Sequence, residues 1–122
     1  MTRVTMEQKR AQDAWEKAER YNEEHTKFAK GLPALIMNSG LMQVMAFCEE
    51  KGTKASQRHV GEVARDLRQW LHQTCDTPED FGGFMEAMMQ ADSRKFQAVT
   101  TEAFAWLRWL RQMAAARQGV GQ

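Results

Sequence analysis

Residues that break helices are rare in this chain, and this limits its fold more than any other feature. Only two prolines, Pro33 and Pro78, occur in 122 residues. Residues of high helix propensity (Ala, Met, Leu, Glu, Gln, Lys and Arg) dominate the remainder. The sequence therefore predicts an all-α fold, a compact bundle of about five to six helices with short connections.

Apolar residues recur at the three- and four-residue intervals of one buried helical stripe. The predicted helices cover residues 6–30, 41–50, 57–73, a segment from 78 through the apolar positions up to 89, and 93–117, with one or two short turns over 33–37. Segment 41–50 is apolar on nearly all sides, so we expect it to be the central and most buried helix.

Local signals set the expected ends of these helices. They are a capping box of Thr5 with Gln8, a stop at Gly31-Leu32-Pro33, a cap at Ser56, Thr77 as N-cap with Pro78 at the first helical position, and Thr101, where a new helix could begin after a short break.

Length and composition fit one soluble domain over residues 1–122, with residues 1–4 and 118–122 frayed. Apolar residues make up 43% and charged residues 27%, which is enough to bury a core. No apolar run predicts a membrane span or a signal peptide. Cys48 and Cys75 stand outside any CxxC pair, which favours a reducing cytoplasm.

Catalytic, metal and cofactor sites are not predicted. His72 and Cys75 are three residues apart, but zinc sites normally use two such pairs. The acidic residues have the spacing of surface ion pairs, and His59 beside Arg58 is more typical of polar surface than of a general base. We therefore expect no enzyme activity and no small-molecule substrate.

Charge is segregated although the net charge is only +1. Residues 76–92 carry five acidic side chains and no basic one, whereas residues 93–122 carry five Arg or Lys against Glu102 alone. This division favours a polyanion on one face, although an unevenly charged, solvated surface gives the same pattern.

The last predicted helix places a polar row roughly 145° from its apolar stripe, over about 25 Å. Its members are Arg94, Gln97, Thr101, Phe104, Arg108 and Arg111. Guanidinium groups with one aromatic ring suit a nucleic-acid backbone. The alternative is a solvated face on which Phe104 packs against a neighbouring helix or subunit. Trp109 lies on a third side, and this indicates a protein–protein contact.

Three segments carry a resemblance to a known family. They are RAQDAWEKAE over residues 10–19, KFAKGLPALIMNSGLMQVMAFCEEKG over 27–52 and TEAFAWLRWLRQMAAA over 101–116. Their order resembles that of the small helical subunit of the Cmr complex, the type III-B CRISPR–Cas RNA-silencing effector. The middle segment is the most specific, because its proline, glycine and apolar positions fall in a fixed order.

The resemblance implies a non-catalytic subunit in antiviral defence. Several copies would stack along a ribonucleoprotein filament beside the backbone subunits, with the polymerase-like large subunit at one end. They would help form a basic channel for guide and target RNA, while a backbone subunit cleaves the target.

Candidate RNA contacts follow partly from this resemblance. Arg108 and Arg111 lie in the matched closing segment, and Lys51 matches the lysine of the family's KG pair. Gln112 departs from the pattern, because a second basic residue is usual there. The remaining candidates rest on charge patterning alone and are Lys54, Arg58, Arg94 and Lys95.

Two other functions remain open from the sequence. One is a helical protein–protein adaptor without direct RNA contact, in which the acidic segment 76–92 of one copy could meet the basic row of another. The other is a small enzyme such as a nuclease.

Overall fold

The computed structural model describes residues 3–120 and contains six α-helices with no strand in that range, which confirms the all-α prediction. The helices are α1 (Met6–Ala18), α2 (Glu23–Ser39), α3 (Leu41–Gly52), α4 (Arg58–Cys75), α5 (Phe81–Gln90) and α6 (Ser93–Val120). The fraying expected at residues 1, 2, 121 and 122 falls outside the described residues, while α6 is helical up to Val120. None of the described helices is long and apolar enough to cross a membrane.

The single helix predicted over residues 6–30 is in fact two helices. α1 begins at the Thr5–Gln8 capping box, as predicted, but it ends at Ala18. Asn22 then caps α2: its side chain accepts the backbone N–H of His25, and the His25 ring accepts the Asn22 N–H. This second capping box lies in a run of charged residues, where the apolar stripe gives no sign of a break.

The predicted stop at Gly31-Leu32-Pro33 is also wrong, because α2 continues through Pro33 to Ser39. An interior proline costs the helix one backbone hydrogen bond. Burial of Ala29, Leu32 and Ile36 on one side of α2 offsets that cost. The helix ends at Gly40, whose φ of +85° suits glycine far better than other residues.

α4, not α3, occupies the centre of the bundle. α4 packs against α2, α3, α5 and α6, whereas α1 and α2 cover the other sides of α6. The prediction that segment 41–50 is central is therefore wrong, and Phe47 on its outer side is 42% exposed. The predicted buried stripe of α4 is confirmed, and it consists of Val60, Val63, Ala64, Leu67, Trp70 and Leu71.

Two glycines set the crossing of α3 and α4. A Cβ atom on Gly52 would lie only 2.7 Å from the Gly61 Cα atom, so the two backbones touch. α4 follows a short 3-10 turn over Ala55–Gln57 and has no side-chain cap, so the predicted cap at Ser56 is wrong.

The start of α5 differs from the prediction as well. Asp80, and not Thr77, is the N-cap, and its side chain accepts the N–H of Gly83. Thr77 is buried at the end of α4, before α5 begins. α6 has no break at Thr101, because the helix is continuous from Ser93. Asp92 accepts the N–H of Lys95 at the start of α6.

Candidate nucleic-acid interface

α6 separates an apolar side from a cationic side. Its predicted buried stripe is confirmed: Val99, Ala103, Trp106, Leu107, Leu110 and Ala114 are at most 1% exposed, with Phe96 and Met113 half-buried beside them. Arg94, Arg108 and Arg111 are exposed on the helix. The packing that buries the stripe therefore leaves these three guanidinium groups in water.

The three arginines of this row form no ion pair with any carboxylate of residues 3–119. Other arginines of the chain do: Arg10 lies 2.7 Å from Glu102, and Arg20 lies 2.9 Å from Asp66. The charge of the α6 row is thus not neutralised within the described chain. Gln97 and Thr101 are also exposed along the row.

Lys95 differs from the arginines of the row. Its ammonium donates a hydrogen bond to the carbonyl of Cys75, the last residue of α4. The final carbonyls of a helix have no partner within the helix and carry partial negative charge. Lys95 therefore joins the start of α6 to the end of α4, and this contact alone explains a cation at that position.

The two aromatic residues predicted as interface both have contacts inside the chain. Phe104 and Trp109 are half-buried and pack against the core. The Trp109 indole N–H also donates to Glu7 Oε1 at 2.7 Å, which ties α6 to α1. Their part in a protein interface stays a prediction, since these contacts already account for an apolar side chain at each position.

Lys51, Lys54 and Arg58 are near one another in sequence where α3 leads into α4, but Lys51 lines a depression with Phe28 and Phe47, whereas Arg58 lines another with Arg65 and Arg68. Gly61, which meets α3, and Trp70, which donates to Glu102 of α6, are about two and a half turns apart on α4 and point to opposite sides. Arg58, on the Gly61 side of α4, and the α6 row therefore lie on opposite sides of α4.

Sequence reasoning missed Arg65 and Arg68, which line the same depression as Arg58. Arg58, Gly61, Arg65 and Arg68 are spaced three, four and three residues apart, the same spacing used to find the α6 row. Arg65 is exposed, whereas Arg68 is only 6% exposed and donates from Nε to the Glu79 carbonyl at 2.8 Å. Burial lowers the pKa of Arg68. The spacing was visible in the sequence, but the burial of Arg68 was not.

His72 of the His72–Cys75 pair makes a loop contact that does not involve the Cys75 thiol. The His72 ring contacts the Thr77 carbonyl at 2.8 Å through Nδ1. Across the residues that the structure describes, no three His, Cys, Asp or Glu side chains are grouped to hold a metal ion. Cys48 is buried in the core, and burial raises the pKa of its thiol to about 12.

Comparison with known proteins identifies the family. The family model described as CRISPR-associated protein (Cas_Cmr5) matches residues 6–117. The chain belongs to the Cmr5 family. A crystal structure of a CRISPR-associated Cmr5 family protein from Thermus thermophilus has 27% sequence identity and a TM-score of 0.72, covering 93% of this chain and 97% of that one. No match is found among curated proteins.

Cmr5 membership confirms the resemblance carried by residues 10–19, 27–52 and 101–116. It makes this chain a small subunit of the Cmr complex, the type III-B effector. Membership also implies association with the other Cmr subunits.

Proposed function

We propose that this Cmr5-family chain is a non-catalytic, RNA-contacting subunit of the cytoplasmic type III-B effector. Copies of it stack along the filament and help hold guide and target RNA in antiviral defence against foreign RNA. The observation that carries the proposal is the α6 row, where Arg94, Arg108 and Arg111 are exposed and form no ion pair within residues 3–119.

The geometry of the row suits a phosphate backbone. Arg94 to Arg111 spans about 25 Å along one helix, long enough to follow several nucleotides. Guanidinium groups donate forked hydrogen bonds to phosphate oxygens without reading the base. In a guided effector, base pairing supplies sequence recognition, so a subunit that contacts only the backbone is sufficient.

Charge reversal on the row tests the proposal. We expect Arg108→Glu with Arg111→Glu to weaken RNA binding by the assembled complex at least about tenfold near physiological salt. The slope of log affinity against log salt should also become shallower, because each lost phosphate contact removes about 0.7 of slope on single-stranded RNA. Filter binding across a salt series measures both quantities.

The matched control reverses two other exposed cations, Lys27→Glu with Lys30→Glu on α2. This control changes the net charge by the same amount and should leave RNA affinity close to that of the unaltered complex. Equal losses in both double variants would show a general charge effect instead of a contact, and no loss in the α6 variant would remove the proposal.

An adaptor function without RNA contact is the second candidate, and one observation favours it. Leu35 of α2 and Phe47 of α3 are 38% and 42% exposed and line the same surface depression. Exposed large apolar side chains grouped on one surface are typical of protein contacts. The same salt series separates the two functions, because an adaptor would leave the RNA affinity of the complex independent of Arg108 and Arg111.

A further inference from the structure

Arg68 is a buried cation that forms no ion pair with any carboxylate of residues 3–119. Its Nε donates to the Glu79 carbonyl, its Nη1 lies 3.9 Å from the Met45 sulfur, and its guanidinium carbon lies 6.0 Å from the centre of the Phe81 ring. None of these partners carries a charge, and the charges of Glu49 and Asp80 act on Arg68 only from beyond ion-pair distance. Leaving a buried charge unpaired is costly, so this arrangement favours an added anion.

The pairing of neighbouring arginines sharpens the contrast. Arg20 has a side chain that is 57% exposed, yet it contacts the Asp66 carboxylate through Nη2 at 2.9 and 3.1 Å. Arg68, on the same helix as Asp66, has no such carboxylate although it is far more buried. The chain thus pairs the cation that water could solvate and leaves unpaired the one that water solvates poorly.

Arg68 is nevertheless reachable from outside. It lines a surface depression of about 320 Å³ beside Arg58 and Arg65. Gly52 and Gly61 also line this depression, and because neither has a side chain, α3 and α4 approach closely there without filling the space. A short anionic side chain entering there would meet three guanidinium groups on one side of α4.

Acidic residues around Arg68 decide between an RNA strand and a protein side chain. Glu49 and Glu62 line the same depression, and Glu79 and Asp80 line a second one that also reaches Arg68. The successive phosphates of a polyanion would approach these carboxylates and be repelled. A protein surface can instead present one carboxylate to the arginines. Lys or Arg side chains beside that carboxylate would then pair with the acidic residues around the depression.

We propose that Arg68, with Arg58 and Arg65, forms a socket for an aspartate or glutamate side chain of a neighbouring protein subunit. The socket opens on the side of α4 away from α6, as the positions of Gly61 and Trp70 show. The RNA-facing row and the socket are therefore on opposite sides, so one chain can hold both contacts. The inference rests on membership in a multi-subunit effector and not on the α6 row.

Competition for places in the complete complex tests the socket. Differently tagged wild-type and variant chains are mixed with the other Cmr subunits, and their ratio in the purified complex is measured. We expect Arg68→Met to lower incorporation about 30-fold or more, as for loss of one partner of a buried charge pair. Arg65→Gln should lower it several-fold, and Lys30→Gln, an exposed cation on α2, should compete equally with wild type.

Arg65→Gln keeps the test meaningful if Arg68→Met disturbs the fold, because Arg65 is exposed and has no ion pair within residues 3–119. Equal incorporation of Arg65→Gln and wild type would overturn the socket. Normal incorporation with a loss of RNA affinity would overturn it too, since a phosphate would then occupy the site. The Arg108→Glu/Arg111→Glu chain should be incorporated as well as wild type. A wrong RNA proposal therefore leaves the socket proposal standing, and a wrong socket proposal leaves the RNA proposal standing.

Discussion

Two carboxylates, those of Glu102 and Asp13, connect helices by accepting hydrogen bonds both from a basic side chain and from a tryptophan indole. Glu102 accepts two hydrogen bonds from Arg10 and one from the Trp70 indole, which joins α6 to α1 and α4. Asp13 accepts hydrogen bonds from the Lys17 ammonium and from the Trp106 indole, and the second of these joins α1 to α6. The sequence indicated surface ion pairs for such residues, because their i, i+4 spacing hides the long-range partner.

Glu102 gives the stability of the chain a dependence on pH. Burial alone would raise the pKa of Glu102, but the hydrogen bonds from Arg10 and Trp70, with the charge of Arg10, hold it below its ordinary value. A lowered folded-state pKa stabilises the chain above the unfolded pKa, and this stability is lost as pH falls through the folded value. The effect is therefore complete at pH 7 and disappears in acid.

We expect Glu102→Gln to lower the free energy of unfolding at pH 7 by about 2 kcal/mol, because Arg10 loses its carboxylate. The gap to wild type should begin to narrow below about pH 4.3, where the unfolded carboxyl takes up a proton, and should close only as pH falls through the lowered folded-state pKa of Glu102. Urea unfolding at pH 7 and pH 3.5 measures both values. A gap of the same size at both pH values would show that Glu102 acts without its charge.

At the scale of helices, the buried stripes of α4 and α6 were predictable and most helix ends were not. The stripes follow from burial, which leaves an apolar residue at every third or fourth position. The break at Asn22 and the cap at Asp80 depend on single side-chain hydrogen bonds, which neighbouring polar residues offer equally well in sequence. The helix end predicted at Pro33 is wrong because burial of the apolar side of α2 outweighs the cost of a proline inside the helix.

The α3–α4 crossing gives a prediction with opposite signs at two helical glycines. Gly52→Ala places a Cβ atom 2.7 Å from the Gly61 Cα atom, so the two helices must separate, at an expected cost of about 1–3 kcal/mol. Gly31→Ala on α2 meets nothing within 4 Å and should stabilise by about 0.5–1 kcal/mol. Thermal unfolding of both variants measures this, and a Gly52→Ala variant as stable as wild type would contradict the close approach of α3 and α4.

At the scale of the whole molecule, the chain has two cationic surfaces with α4 between them. The α6 row was predictable, because one helix fixes the relative directions of its own side chains. The socket at Arg68 was not, since the sequence does not show which carboxylates lie near a given arginine in space. Family membership was evident from sequence segments, whereas the position of Arg58 on the side of α4 away from α6 needed the packing of α3, α4 and α6.

The central claim is that the outer side of α6 faces RNA in the assembled effector, and site-specific photocrosslinking tests it most directly. A photoreactive phenylalanine analogue replaces Gln97, an exposed neutral residue between Arg94 and Arg108, or Lys30 on α2 as the control. After irradiation of the purified, RNA-loaded complex, we predict crosslinks to RNA from position 97 and none above background from position 30. Crosslinks from position 97 to protein alone, or equal RNA labelling from both positions, would contradict the claim.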